Sequence, residues 1–168
     1  MDKLIQLWIA HGFIQEKQVR LETIGKQIFN ELASRSFFQD VNQDGSGNNY
    51  MTTCTVHDLM HDLAKKAAGS DCFRMDNGSR REVPRDVRHL FVGNEGMNIK
   101  KIFGLKNLRT LIIDGKEWST RLNEEFFAKV FKKLQKLRVL AVEINERRVF
   151  RVPDSIVHLK HLRYLALR

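Results

Sequence analysis

Apolar residues recur along this chain with two different periods, and the change of period divides it. Leu4 to Phe13, Leu-Ile-Gln-Leu-Trp-Ile-Ala-His-Gly-Phe, predicts a short helix stopped at Gly12. Leu4, Trp8 and His11 share one face, with Ile5 and Leu7 widening the apolar side. The polar run Gln15 to Arg20 is a connection, and Leu21, Ile24, Ile28 and Leu32 then stand at helical spacing, predicting a second helix that ends near Ser34. Phe37, Phe38 and Val41 predict a strand. Asn42 to Asn49 is turn-forming by composition, and Tyr50 to Val56 returns as a second strand. Leu59, Leu63 and Ala67, four residues apart, predict a helix from about Asp58 to Ala68. Two helices, a hairpin and a closing helix make a winged-helix-like arrangement.

Beyond the polar stretch Gly69 to Arg81 the pattern becomes a repeat. Leu105-Lys-Asn-Leu-Arg-Thr-Leu-Ile-Ile113, Leu134-Gln-Lys-Leu-Arg-Val-Leu-Ala-Val142 and Leu159-Lys-His-Leu-Arg-Tyr-Leu-Ala-Leu167 share Leu-x-x-Leu-Arg-x-Leu. Pro84, Val87, Leu90 and Val92 form a weaker first copy. Leu90, Leu111, Leu140 and Leu165 lie 21, 29 and 25 residues apart, close to a leucine-rich-repeat period. Alternate strand residues point inward, so Leu111 and Ile113 should bury while Ile112 and Asp114 face out. One copy cannot bury its apolar side alone; stacked copies share a core. Asn145, three residues past Val142, fits the position whose amide satisfies the turn. Arg168 follows the last strand directly, which reads as an array cut short. The expected fold class is α+β: a winged-helix-like module over 1–68, a linker over 69–83, and the start of a leucine-rich-repeat solenoid over 84–168.

Composition changes this picture little. A chain of 168 residues holds one ordinary domain or two small ones, and 42% hydrophobic with 29% charged residues is globular. Met1-Asp2-Lys3-Leu4 lacks the apolar core of a secretory leader, no apolar run is long enough to span a bilayer, and Cys54 and Cys72 fit a reducing compartment. The expected location is the cytoplasm. Charge is uneven: residues 1–76 carry 8 Lys+Arg against 10 Asp+Glu, a balance of −2, whereas 77–168 carry 21 against 10, or +11. Without interleaved aromatics or a recognition-helix pattern, the basic half reads as a solvated face rather than a specific nucleic-acid site.

The candidate chemistry centres on Cys54-Thr-Val-His-Asp-Leu-Met-His-Asp-Leu63, where a strand enters a helix. Thr55 and Asp58, three apart, resemble a capping pair that would set Val56 to Asp58 in the first turn. Free N–H groups there suit an anion, and His57 is placed to meet a phosphate. His57-Asp-Leu-Met-His61 differs by one residue type from a zinc-protease motif, but aspartate is a methylene short for the general base. A structural zinc on Cys54, His57, His61 and Cys72 would straddle the junction. No metal site and no catalytic residue is expected, and His61 reads as surface. Neither a Gly-x-x-x-x-Gly-Lys-Ser/Thr loop nor a Gly-x-Ser-x-Gly elbow occurs, so the chain is expected not to be an enzyme. Trp8, Trp118, Phe37-Phe38 and Phe126-Phe127 read as core.

Leu4 to Ile14, Ile24-Gly25, Asn30 to Gln39 (Asn-Glu-Leu-Ala-Ser-Arg-Ser-Phe-Phe-Gln) and Val56-His57-Asp58 to Ala64, in that order, resemble plant nucleotide-binding leucine-rich-repeat immune receptors of the coiled-coil class. Arg151 to Leu167 is similar to their early repeats. The resemblance implies that Met-His-Asp, here Val56-His57-Asp58, closes the winged-helix part of an ADP/ATP switch. His57 would then contact the terminal phosphate of ADP, and Asp58 would fix the neighbouring helix start. It implies an intramolecular nucleotide-binding domain as one partner, and a pathogen-derived or guarded host protein, read by the repeats, as another. Ile112, Asp114, Ala141, Glu143 and Ala166 are contact candidates by orientation. The phosphate loop, the acidic magnesium-site strand, the preceding helical subdomain and the signalling N-terminus are not in this sequence, so no cofactor is expected on the chain alone. The rival readings are a stand-alone repeat adaptor and a metalloenzyme.

Overall fold

The computed structural model describes residues 1–15, 19–44, 51–75, 82–93, 99–114, 122–143 and 151–167. The chain divides into two compact units, Met1–Gly69 and Ser70–Arg168.

In the first unit, α1 (Asp2–His11) ends where Gly12 turns left-handed at φ 80°, and the Gly12 and Phe13 N–H groups donate back to Ile9 and Trp8. A side chain at Gly12 would resist that conformation, which is why the helix stops there. The buried residues of α1 are Ile5 and Ala10, whereas Leu4, Trp8 and His11 are only half-buried. The expected face was therefore rotated from the one that packs. α2 (Leu21–Ser34) buries Gly25 and Phe29, between the half-buried Leu21, Ile24, Ile28 and Leu32. Gly25 is small because α1 comes so close: a Cβ built there would stand 2.3 Å from Ile5 Cγ2 and 3.2 Å from Ile14 Cδ1.

The wing follows. β1 (Phe38–Asp44) pairs antiparallel with β2 (Met51–Val56), with an irregularity between Gln39 and Asn42 that Asp40 absorbs at φ 48°. Asn42 to Asp44 are strand rather than turn, because their backbones pair with Thr53, Thr52 and Met51. Tyr50, expected to open the second strand, and the rest of the expected turn lie outside the described residues. Phe38 stacks on Phe29 at 5.0 Å between ring centroids, fixing the hairpin to α2. α3 (Asp58–Ala68) closes the unit.

The second unit is a five-stranded parallel sheet in chain order: β3 (Cys72–Met75), β4 (His89–Val92), β5 (Thr110–Asp114), β6 (Val139–Glu143) and β7 (Tyr164–Leu167). Leu90, Leu111, Leu140 and Leu165 are successive register partners, as are Val92, Ile113, Val142 and Leu167. The residue Phe73 extends the leucine rung to β3, which lies within the stretch expected as the 69–83 linker. That expectation is corrected: Cys-Phe-Arg-Met is too short and mixed to show a period, and it becomes a strand because β4 offers it an edge. The ends of the turns add short 3₁₀ segments at Ile99–Gly104 and Asp154–His158.

After β5 the longest interval holds α4 (Glu124–Lys133), a helix not among the expected elements although Phe126, Phe127, Val130 and Phe131 stand at helical spacing. Asn123 caps it by accepting from Phe126 N–H at 2.9 Å. Phe126, Phe127, Val130 and Phe131 are buried, and Phe126 meets Phe103 at 5.7 Å. With Leu108, Leu134 and Leu137, all fully buried, they fill one core behind the strands. Asn145 and Trp118 lie outside the described residues.

Gly25→Ala should destabilise the first unit by about 1–3 kcal/mol, because Ile5 and Ile14 must move to admit the methyl. Urea unfolding of the two proteins measures this, and an unchanged midpoint would show that the helices separate freely.

Candidate functional site

β2 ends at Val56 and α3 begins at Asp58, so His57 is the one residue between them. Its backbone is fixed on both sides: the His57 N–H donates to the Phe37 carbonyl at 3.0 Å, and its carbonyl accepts from His61 N–H at 2.9 Å. With φ −55° and ψ 136° it is the N-cap, and its Nδ1 accepts from Leu59 N–H at 3.2 Å. The imidazole thus does what an Asn or Ser oxygen usually does at a helix start. Thr55 is not the cap; it is held in β2 opposite Gln39, so the capping pair and first turn expected from sequence are displaced by two residues. The physical reason is that the β1 ladder holds extended backbone through Val56.

This geometry alters the anion reading. One of the free helix N–H groups, that of Leu59, is already taken by His57 itself. An Nδ1 that accepts leaves Nε2 to carry the ring proton, so the half-buried His57 keeps a single ring donor. Asp58, exposed in the first turn, stabilises α3 against its dipole but opposes a second negative charge at the same end. His61 Nδ1 stands 3.9 Å from Asp62 Oδ1, both exposed, as expected for a surface group. No residue of α3 is buried, and Leu59 and Leu63 are 69% and 59% exposed.

Among the described residues, no group of three or more His, Cys, Asp or Glu side chains is arranged to hold a metal ion. Cys54 is on β2 of the first unit and Cys72 on β3 of the second. Burial, and then the Asp71 carboxylate, push the Cys72 thiol above its ordinary range, which keeps it protonated at neutral pH.

The family model described as "Disease resistance protein Winged helix domain" matches residues 1–64. A putative disease resistance protein of Arabidopsis thaliana is 30% identical over 99% of the chain, though that covers 12% of the relative. The chain belongs to the plant disease resistance protein family. Another disease resistance protein relative, RGA4 of Solanum bulbocastanum, described as putative, is 41% identical over 52% of the chain and 8% of its own length. RGA2 of the same species is 46% identical over 38% of the chain and 6% of its own length. The chain therefore spans a small part of these disease resistance proteins. Within the family match, Val56-His57-Asp58 lies near the end of the winged helix domain, at the junction just described. No helix among the described residues is long and apolar enough to cross a membrane.

The second surface of interest in this disease resistance protein chain is the sheet face opposite the leucine rung. Of its expected contact residues, Asp114 is exposed, and Ile112, Glu143 and Ala166 are half-buried. Ala141 is fully buried, a correction to its expected availability. Its one-carbon side chain lies on the rung between register partners Ile112 and Ala166. On the same face His89 Nδ1 lies 3.0 Å from Thr110 Oγ1. Burial lowers the His89 pKa below its ordinary 6.5; Asp71 works the other way, and Arg109 and Arg88 reinforce the fall.

Because the folded chain holds the His89 proton more weakly than the unfolded chain does, the unfolded state takes up more protons below about pH 6.5. This contribution to stability is present above that pH and is lost as pH falls toward the depressed folded value. Denaturant midpoints at about pH 7.5 and 5.5 should fall for the parent chain and fall less for His89→Gln. Equal falls would remove His89 from the account.

Proposed function

We propose that this chain is the winged-helix end of a nucleotide-dependent switch joined to the first leucine-rich repeats of an intracellular plant immune receptor. The observation that carries the switch reading is His57, fixed at a strand–helix junction with its Nδ1 used as the cap and Nε2 left as the ring donor. A terminal phosphate of ADP is the acceptor such a donor fits, and ADP would supply the resting-state ligand that the switch exchanges for ATP. His57 would hold that phosphate, while Asp58 steadies the start of α3. Both act only beside a nucleotide-binding domain, since this sequence carries no phosphate-binding loop. On this reading the chain alone is not an enzyme and needs no cofactor.

The repeat reading is supported by five parallel strands in chain order and by the aligned leucine rung, which is how a leucine-rich-repeat solenoid stacks. Such a surface would recognise a pathogen-derived or host protein in the cytoplasm and pass that event to the switch. The same regular sheet also favours the second reading, a repeat adaptor with no nucleotide dependence.

A chimera separates the two. This chain replaces the matching segment of a relative that supplies the nucleotide-binding domain, and ADP dissociation is followed. Loss of one hydrogen bond to a charged phosphate is worth about 1.5–3 kcal/mol, so His57→Ala should speed ADP release roughly 10–100-fold. Unchanged release in a folded chimera would leave the adaptor.

A further inference from the structure

The helix α4 has two faces, and the core explains only the inner one. Phe126, Phe127, Val130 and Phe131 are buried, while Lys129, Lys132 and Lys133, at i, i+3 and i+4, are exposed on the outer face. Lys136 follows in the turn and is also exposed. From Ala128 to Val142 the chain carries five Lys+Arg and no Asp or Glu. Cations in a last turn offset the helix dipole, which accounts for Lys132 and Lys133. That effect does not extend to the lysines brought beside them. Lys136 Nζ donates to Asn107 Oδ1 at 2.8 Å, which sets it next to the exposed Lys106 of the preceding turn. The 3₁₀ segment Ile99–Gly104, with Lys101 exposed, packs on the same helix. Glu124 and Glu125 stand apart in the first turn of α4, where Glu125 pairs with Lys129 at 2.5 Å. The 3₁₀ segment Asp154–His158 packs on α4 as well and leaves the aliphatic Val157 73% exposed.

We propose that this lysine face docks the chain on an anionic lipid bilayer. Charge complementarity sets the sign: a negatively charged leaflet attracts clustered lysines that reach it within about one Debye length, roughly 8 Å at physiological salt. The residue type fits a spread field of headgroup phosphates. Lysine is a compact point charge on a flexible stem, whereas a fixed carboxylate on a protein partner is gripped better by the arginine fork. Single-stranded nucleic acid would need open aromatic faces for its bases, and Phe126, Phe127 and Phe131 of α4 are all buried. An exposed valine beside lysines suits the headgroup boundary, where an aliphatic side chain can leave water. The apolar face of α4 is already used in the core, so the helix does not embed and the attachment is electrostatic and reversible. The inference does not use His57 and survives if the switch reading fails.

The test sediments the whole chain with vesicles of phosphatidylcholine alone and of phosphatidylcholine mixed with phosphatidylserine. The chain should partition onto the mixed vesicles, stay off the neutral ones, and be released as salt shortens the Debye length. A lysine near such a surface counts about fivefold, so Lys132→Gln with Lys133→Gln and Lys136→Gln should lower the partition coefficient roughly 10–100-fold. Lys26→Gln with Lys65→Gln and Lys66→Gln removes the same charge from the first unit and should leave it within about threefold. If circular dichroism shows the α4 variant to be misfolded, Lys101→Gln with Lys106→Gln decides, with an expected loss of about 5–20-fold. Equal binding to neutral vesicles, an unchanged partition in the folded α4 variant, or an equal loss in the first-unit variant overturns the proposal. So does release from the mixed vesicles by single-stranded RNA at matched phosphate concentration.

Discussion

A single backbone connection, repeated from strand to strand, underlies the second unit. The carbonyl ahead of each strand takes two N–H groups from the next, first between Asp71 and Arg88-His89 and last between Arg138 and Arg163-Tyr164. That double bond holds the register, and register decides everything that follows from it. A slip of one residue would send Leu111 and Leu140 outward and bring Ile112 and Ala141 into the core. The leucines are the reason the register is worth holding, since a strand of four or five residues cannot bury its apolar side without a neighbour above and below.

The first unit depends on a different constraint, the close approach of two helices. Gly25 lets Ile5 into the space a side chain would occupy, and Phe29 continues that face to stack on Phe38. The wing is therefore anchored through one aromatic pair to the helix that α1 packs on. His57 inherits its position from this chain of contacts: Phe37 begins the wing and accepts the His57 N–H, so the imidazole sits where β1, β2 and α3 meet. A residue held on both backbone sides can present one ring nitrogen in a fixed direction. It does so at modest cost, because the other nitrogen caps the helix.

Much of this was legible in the residues. The stop at Gly12, the span of α3 and the alignment of Leu90, Leu111, Leu140 and Leu165 follow from turn chemistry and period, and the structure has them as read. The repeated Leu-Arg pair is equally visible in the sequence. Cys72–Met75 holds too few apolar residues to announce a strand, whereas α4 does carry a period: Phe126, Phe127, Val130, Phe131 and Leu134 stand at helical spacing. At the candidate site the residue was legible and its geometry was not: Thr55 has the right chemistry for a cap, but the hairpin keeps it extended and passes the role to His57.

The sequence by itself determined the helix and strand periods, the family, and the identity of the histidine at the junction. These rest on local spacing and residue type, which a linear reading can measure. Only the tertiary structure decided which face of α1 is buried, that Ala141 is buried, that His57 rather than Thr55 caps α3, and that Lys136 stands beside Asn107. Each of those depends on what another element, distant in the chain, places beside the residue. Neighbours of that kind have no period to read.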